Sequence, residues 1–279
     1  MNRRQFAALS VWAVVTCLGA IACSQANEST DATGNTLADD AAPSAETVNL
    51  TISVAASVQD AMKKVQAAYQ AAAPNVTITY NFGSSGSLAQ QIAQGAPSDI
   101  FLSASQKWMD DLTENGQILD GSRQNLLQNA MVLIVPAENA QVADFQDLEA
   151  GAVDKVAIGE PESVPAGRYA KEVLTTLNLF DGLQSQLVFT KDVRQVLSYV
   201  ETGNVDAGLV YATDAMTSEQ VQVVASAPPE THAPIVYPIA VVNDSANQDA
   251  AQAFVDFLTT DTTIAIFQEH GFSMAESRE

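Results

Sequence analysis

From Val48 onward the chain alternates short runs of apolar and β-branched residues with longer stretches whose apolar positions recur at helical spacing. Leu50 to Ala55 reads as a strand, Asp60 to Ala72 as a helix with Met62, Val65 and Tyr69 on one face, and Val76 to Tyr80 as a second strand. Leu88 to Ala93 continues as helix and Ile100 to Ser103 as a short strand. Ala130 to Val135 is apolar throughout, the pattern of a strand covered on both faces, and Pro136 ends it. The second half repeats the alternation, with strands at Val156 to Ile158, Leu187 to Phe189 and Ala207 to Tyr211 and helices from Arg168 to Leu177 and Val193 to Glu201. Strands at Val221 to Ala225 and Ile235 to Val242 follow. Two helix patterns close the chain, Ala250 to Leu258 and Thr263 to His270, the second stopped by Gly271. Such alternation predicts an α/β fold of parallel strands joined by crossover helices. Crossings near Asn129 to Val132 and Val236 to Ala240 suit two lobes, one of residues 48–128 completed by 238–279 and the other of 129–237.

Before Val48 the pattern changes. Arg3 and Arg4 precede an apolar stretch from Phe6 to Ala22, which ends in Ala20-Ile21-Ala22-Cys23. Residues 1–22 therefore read as a signal peptide ending at a lipobox-like Cys23, the expected site of lipidation. Arg3-Arg4-Gln5-Phe6 fits a twin-arginine signal as well as a general secretory one, so the export route stays open. Residues 23–47 are rich in Ser, Thr, Asn, Asp and Ala with Leu37 the one large apolar side chain, and read as a flexible tether spanning on the order of 30 Å. The expected location is outside the cytoplasm, in the periplasm or cell envelope, anchored to a membrane by lipid.

Composition narrows the function. Of 279 residues, 47% are hydrophobic, enough for one large core or two smaller ones. Lys+Arg 12 against Asp+Glu 33 gives a formal net charge of -21, which repels nucleic acid and anionic surfaces and excludes a nucleic-acid partner. Both cysteines, Cys17 and Cys23, lie in the leader, so the mature domain has neither an intrachain disulfide nor a thiolate metal site.

The polar residues that carry chemistry collect where predicted strands end. Ala55-Ala56-Ser57-Val58-Gln59-Asp60 opens a helix with Ser57 and Asp60 in capping-box spacing, so Ser57 either caps its own helix or faces a ligand. Asn81-Phe82-Gly83-Ser84-Ser85-Gly86-Ser87 is a second such turn, dense in hydroxyls and glycines; it is either an anion nest or a plain turn capped by Ser87 with Gln90 in the box position. Turns at 160–168, 191–194 and 210–214 have the same form, with Asp192 as an N-cap. Five strand ends thus present free N–H groups or hydroxyls where open α/β sheets bind ligands. The Gly-Lys-Ser/Thr ending of a P-loop, the Gly-x-Ser-x-Gly elbow and the His-Glu-x-x-His zinc motif are absent from the sequence. A serine hydrolase would need His232 or His270, in a Pro-rich loop and at the end of the last helix, to reach Ser57 or Ser85.

At these residues the chain resembles ModA-type molybdate-binding proteins of the periplasmic binding protein superfamily. The resemblance runs from Val48 to about Met274 and is carried by Ala55-Ala56-Ser57, residues 95–104 (GAPSDIFLSA), residues 106–110 (QKWMD), Gly159-Glu160-Pro161, residues 164–167 (VPAG), Asp192-Val193-Arg194 and Gly208-Leu209-Val210-Tyr211. It implies a type II, two-lobed fold with a cleft between the lobes. It also implies an oxyanion held by hydroxyl and backbone donors of Ser57 and Ser85, by the N–H groups of Ala166 and Val193, and by the phenol of Tyr211. Gly86 departs from the family pattern, where a third consecutive serine is common, and leaves the choice among Ser84, Ser85 and Ser87 open around Ser85. Arg168 and Arg194 flank two of these positions and are read as lying outside the site.

The function implied is that of the substrate-binding lipoprotein of a molybdate ABC transporter, a monomer that delivers its anion to a permease with its ATPase. It is expected to catalyse nothing, to carry no cofactor, and to bind molybdenum only as the oxyanion. Molybdate is a fully ionised dianion with acceptor oxygens only, so a donor-only site suits it and leaves the O–H of protonated phosphate unpaired. Tungstate, nearly the same size, and sulfate, smaller, are the alternative cargoes on the same fold. A secreted serine hydrolase and a surface lipoprotein without a ligand are the alternatives from other classes.

Overall fold

A computed structural model of the protein describes residues 47–138, 141–149 and 153–275. The expected signal peptide, Cys23 and the tether up to residue 46 lie outside the described residues. In the first part of the chain each strand turns directly into a helix. Strand β1 (Val48–Ala55) passes through a 3-10 turn (Ala56–Val58) into α1 (Gln59–Ala72), β2 (Val76–Gly83) into α2 (Ser85–Ala93), and β3 (Ile100–Leu102) into α3 (Gln106–Glu114). Next, β4 (Gln124–Asn129) and β5 (Met131–Pro136) follow each other with only Ala130 between them.

The strand-to-helix pattern then resumes. Strand β6 (Val156–Gly159) leads to α4 (Pro165–Thr176) and the short α5 (Phe180–Leu183), β7 (Leu187–Thr190) to α6 (Val193–Glu201), and β8 (Ala207–Tyr211) to α7 (Ala212–Ala215). Strands β9 (Val221–Ser226) and β10 (Ile235–Val241), helices α8 (Gln248–Phe257) and α9 (Asp261–Glu269), and the two-residue β11 (Ser273–Met274) complete the chain.

Two mixed sheets result, in the orders β11-β4-β10-β3-β1-β2 and β7-β6-β8-β5-β9. Strands β1, β2 and β3 run parallel, as do β6, β7 and β8, whereas β10 is antiparallel to β3 and β4, and β5 to β8 and β9. The chain passes from the first sheet to the second across Ala130 and returns between Ser226 and Ile235. Sequence explains each strand's place. The edge strand β2 alternates buried Val76 and Ile78 with exposed Thr77 and Thr79, whereas β8 and β10 are buried along their whole length because helices or loops cover both faces. Among the described residues no helix is long and apolar enough to cross a membrane.

The helices bury the stripes that the spacing predicts. Met62, Val65 and Tyr69 of α1 are buried, and Tyr69 packs edge-on against Phe254 and Phe257 of α8 at centroid distances of 4.9 and 5.0 Å. The C-terminal helices thereby close over the same side of the first sheet as α1. Between the inner strand β6 and α4 the approach is closer still. A methyl group on Gly167 would run into the Gly159 carbonyl, so only glycine lets α4 start against the end of β6. Gly271 takes the left-handed conformation at φ +81 that ends α9, as the sequence predicts.

Phe254 is fully buried, and its replacement by Ala removes ring contacts with little scope for collapse. Phe254→Ala should destabilise the domain by roughly 3–5 kcal/mol, about 6–20 °C in a thermal melt. A shift below about 2 °C would contradict the packing of α8 onto α1.

Candidate functional site

Four helix starts meet at one pocket between the two sheets. Its wall is formed by Ala55, Ala56 and Ser57 at the end of β1, by Gly83, Ser84 and Ser85 at the end of β2, and by Ala104 after β3; from the second half come Val164, Pro165 and Ala166 at the start of α4, Asp192 and Val193 at the start of α6, and Tyr211 at the end of β8. The space enclosed is about 210 Å³, counting the mouth. All five residues that the sequence singled out, Ser57, Ser85, Ala166, Val193 and Tyr211, stand in this wall. None lies elsewhere.

Each helix start contributes for a physical reason. The first N–H groups of a helix have no intrahelical acceptor, and the aligned peptide dipoles place a partial positive charge there. Pro165 occupies the first position of α4, where its missing N–H costs nothing and its fixed φ suits the helix. The N–H groups of Ala166 and Val193 have no acceptor among the described residues. Asp192 caps α6 as predicted, its Oδ1 accepting from the Gln195 N–H at 2.9 Å.

The hydroxyls are sorted by their partners. Ser84 is the N-cap of α2; its oxygen accepts from the Ser87 N–H at 3.3 Å and its proton goes to Ser87 Oγ at 2.9 Å. Ser87 lies outside the wall. Ser85 is fully buried, and its Oγ accepts the Ala104 N–H at 2.9 Å, while its own proton has no acceptor among the described residues. Of the two readings of Ser57, the cap does not hold: no side chain caps α1, and Ser57 Oγ instead meets Tyr237 Oη at 3.0 Å. Asp60, the other half of that spacing, pairs with Arg194. Tyr211 is buried against the rings of Tyr169 and Tyr237, and its hydroxyl has no hydrogen-bond partner. Burial raises its pKa, so it stays a neutral donor.

Among the described residues the wall holds no lysine, arginine or histidine. His232 bonds the Ala233 carbonyl and His270 the Ile266 carbonyl, away from both serines. No cluster of three or more His, Cys, Asp or Glu side chains suits a metal ion among the described residues.

The arginines flanking the site stand outside the wall, yet both reach across it. Arg194, on α6, pairs through Nε with the buried Asp214 at 2.7 Å and through a terminal nitrogen with Asp60 of α1 at 2.9 Å; that terminal nitrogen also lies 3.4 Å from the Ser57 carbonyl. Arg168, on α4, stacks on Tyr169, pairs with Glu172 at 2.9 Å and donates to Ser105 Oγ at 3.3 Å. A third crossing involves main chain alone: the Gly86 N–H donates to the Ser163 carbonyl at 3.0 Å. A side chain on Gly86 would collide with that carbonyl and with the Trp108 ring, which is the physical reason for glycine where a serine is common. Sequence reading missed these crossings, as it missed Tyr237 and Ala104, because each depends on residues distant in the chain. The Ser-Ser-Gly-Ser departure at Gly86 was the one available signal.

Burial pushes the Asp214 carboxyl up to about 7, against the pull of the Arg194 guanidinium and with a smaller push from Asp60 and Asp192. An unfolded Asp loses its proton near 3.8, so between pH 4 and 7 the folded state holds a proton that the unfolded state has released. Stability from this group therefore falls as pH rises through that window. Asp214→Asn should flatten that part of the stability-versus-pH curve measured by urea titration. An unchanged slope would show Asp214 to be ionised throughout.

The bacterial extracellular solute-binding protein family matches residues 50–273. YvgL of Bacillus subtilis, provisionally named an ABC transporter substrate-binding lipoprotein, is 46% identical over 227 residues, 81% of this chain and 86% of that one. The molybdate-binding protein ModA of Haemophilus influenzae is 38% identical over 233 residues, 82% of this chain and 91% of its own. Among solved structures, the substrate-binding domain of a provisionally assigned molybdenum ABC transporter from Clostridium difficile superposes with a TM-score of 0.65 at 46% identity, over 82% of this chain and all of that one. The two sheets, the crossings between them and the pocket they enclose are those of a type II periplasmic binding protein, two lobes about a cleft. The chain belongs to the bacterial extracellular solute-binding protein family.

Proposed function

We propose that this protein is the extracytoplasmic binding component of a molybdate ABC importer, tethered to a membrane through a lipid on Cys23. It acts as a monomer that delivers its anion to a permease with its ATPase. One observation carries the reading: the wall brings together the partnerless Tyr211 hydroxyl, the uncommitted Ser85 proton and the free N–H groups of Ala166 and Val193, all neutral donors, while its one carboxylate among the described residues, Asp192, caps α6. The hydroxyls of Ser57, Ser85 and Tyr211 and the N–H groups of Ala166 and Val193 are assigned to the anion's oxygens. Ser85 is preferred over Ser84, whose proton is taken by Ser87. A tetrahedral dianion with acceptor oxygens only satisfies such a set, and the relatives named for molybdate support that cargo over others. In this reading the lobes pivot on the two crossings and close over the anion, which stabilises the closed form by touching both.

The pocket is suited to binding and not to catalysis. A nucleophilic serine needs a base at its oxygen, but Ser57 meets a phenol and Ser85 a backbone N–H. No cofactor has a role in this reading.

A thermal melt of the mature domain with molybdate, tungstate, sulfate and phosphate tests the cargo. Molybdate and tungstate at about a thousandfold over Kd should each add roughly 4 kcal/mol of stability, with phosphate at the same concentration adding far less. A shift with sulfate alone changes the cargo, and no shift with any anion sinks the proposal. Ser85→Ala should weaken molybdate by about 10–100-fold, the value of one hydrogen bond to a charged acceptor. Wild-type affinity in that variant would remove Ser85 from the site.

A further inference from the structure

We propose that Tyr237 and Asn129, both outside the pocket wall, fix the Ser57 hydroxyl as a donor and thereby make the pocket selective for oxyanions that carry no proton. The inference rests on the oxyanion reading above and adds to it the residues that set selectivity.

The direction of each hydrogen bond follows from one that cannot be reversed. The Ala130 backbone N–H donates to Asn129 Oδ1 at 2.9 Å, which fixes the amide so that its NH₂ faces the other way. That nitrogen donates to Thr213 Oγ1 at 2.8 Å and to Tyr237 Oη at 3.2 Å. An amide nitrogen accepts nothing, so the Tyr237 oxygen is the acceptor in that pair. The Tyr237 proton then needs an acceptor, and Ser57 Oγ, at 3.0 Å, is the remaining partner. The reverse direction would strand the proton of a fully buried phenol. Burial also raises the Tyr237 pKa, so the proton is present to be given. With its oxygen occupied as an acceptor, Ser57 has its own proton left for the pocket.

Ser85 reaches the same state by a shorter route, since the Ala104 N–H that fills its oxygen is main chain and cannot turn. Tyr211 has no partner, so its hydroxyl is free to give its proton to a ligand, though nothing fixes its direction. Two hydroxyls, those of Ser57 and Ser85, are therefore set as donors before any ligand arrives. An O–H of the anion that faces either of them finds its proton opposed by another. Tyr237 is in this scheme a positioning residue: it touches Ser57, not the anion.

Tyr237→Phe removes one oxygen and keeps the ring that packs edge-on against Tyr211 and Phe272. Isothermal titration and melts with molybdate, sulfate and inorganic phosphate at neutral pH compare the variant with wild type. Molybdate and sulfate, which carry no proton, should weaken together by about 3–30-fold, while phosphate holds or gains because Ser57 is free to accept. The molybdate-to-phosphate preference then falls by at least about threefold. Equal weakening toward all three anions would reduce Tyr237 to a packing role and overturn the proposal, as would unchanged preference. If wild type itself binds no oxyanion, the cargo reading fails and the selectivity argument goes with it. Wild-type binding with an unaltered preference in the variant overturns the relay alone.

Discussion

A helix that begins where a parallel strand stops leaves its first N–H groups without acceptors, and those groups must find partners or remain in contact with solvent. Here that constraint recurs at the ends of β1, β2, β6 and β7, and the two sheets bring all four ends to one place. Much else in the structure accommodates it. Gly167 lets α4 approach β6, Pro165 starts that helix without wasting a donor, and Ser84 and Asp192 satisfy the N–H groups one turn further in. What remains unsatisfied points toward one small volume. The sequence carries a formal charge of -21, yet among the described residues Asp192 is the one acidic residue in the wall of that volume.

The contacts that cross between the lobes differ in kind from those that face the pocket. Arg194 links a fully buried aspartate on one side to a partly exposed one on the other, and Arg168 joins Glu172 to Ser105. Both cations are spent on the protein's own acceptors and leave the pocket wall uncharged apart from Asp192. Uncharged donors line the pocket, while the Arg194–Asp60 ion pair, the Arg168–Ser105 bond and the Gly86–Ser163 main-chain bond link the two halves.

Much of this was legible in the amino-acid pattern. The apolar runs gave the inner strands, and the polar turns at strand ends contain the five residues proposed for the site, whereas Ala104 and Tyr237 were not singled out; the roles proposed for Ala166, Val193 and Tyr211 rest on resemblance and not on spacing. Strand β4 was not foreseen: Gln124-Asn125-Leu126-Leu127-Gln128-Asn129 has two apolar residues among four amides, and it is a strand because β10 and β11 pair with both its edges. Helix α3 was missed too, its apolar face being only Met109 and Leu112. Ser57 shows the limit of local reading. Its spacing to Asp60 suggests a cap, but its partner lies 180 residues away in a strand whose Tyr237 looks like any other core aromatic.

Asn129 ends β4, and Ala130 alone separates it from β5 in the other sheet. Its amide spans that crossing, holding Thr213 beside the second sheet and Tyr237 in the first. A rotation of one lobe against the other about this point strains the Asn129–Thr213 bond and carries Ala166, Val193 and Tyr211 away from Ser57 and Ser85, whose own bonds lie within the first half. The donor geometry that suits an anion is thus complete only when the halves are together. An anion leaving through an opened cleft would be leaving a site that has already begun to lose its polarity, so release need not wait for the tightest hydrogen bonds to break one by one.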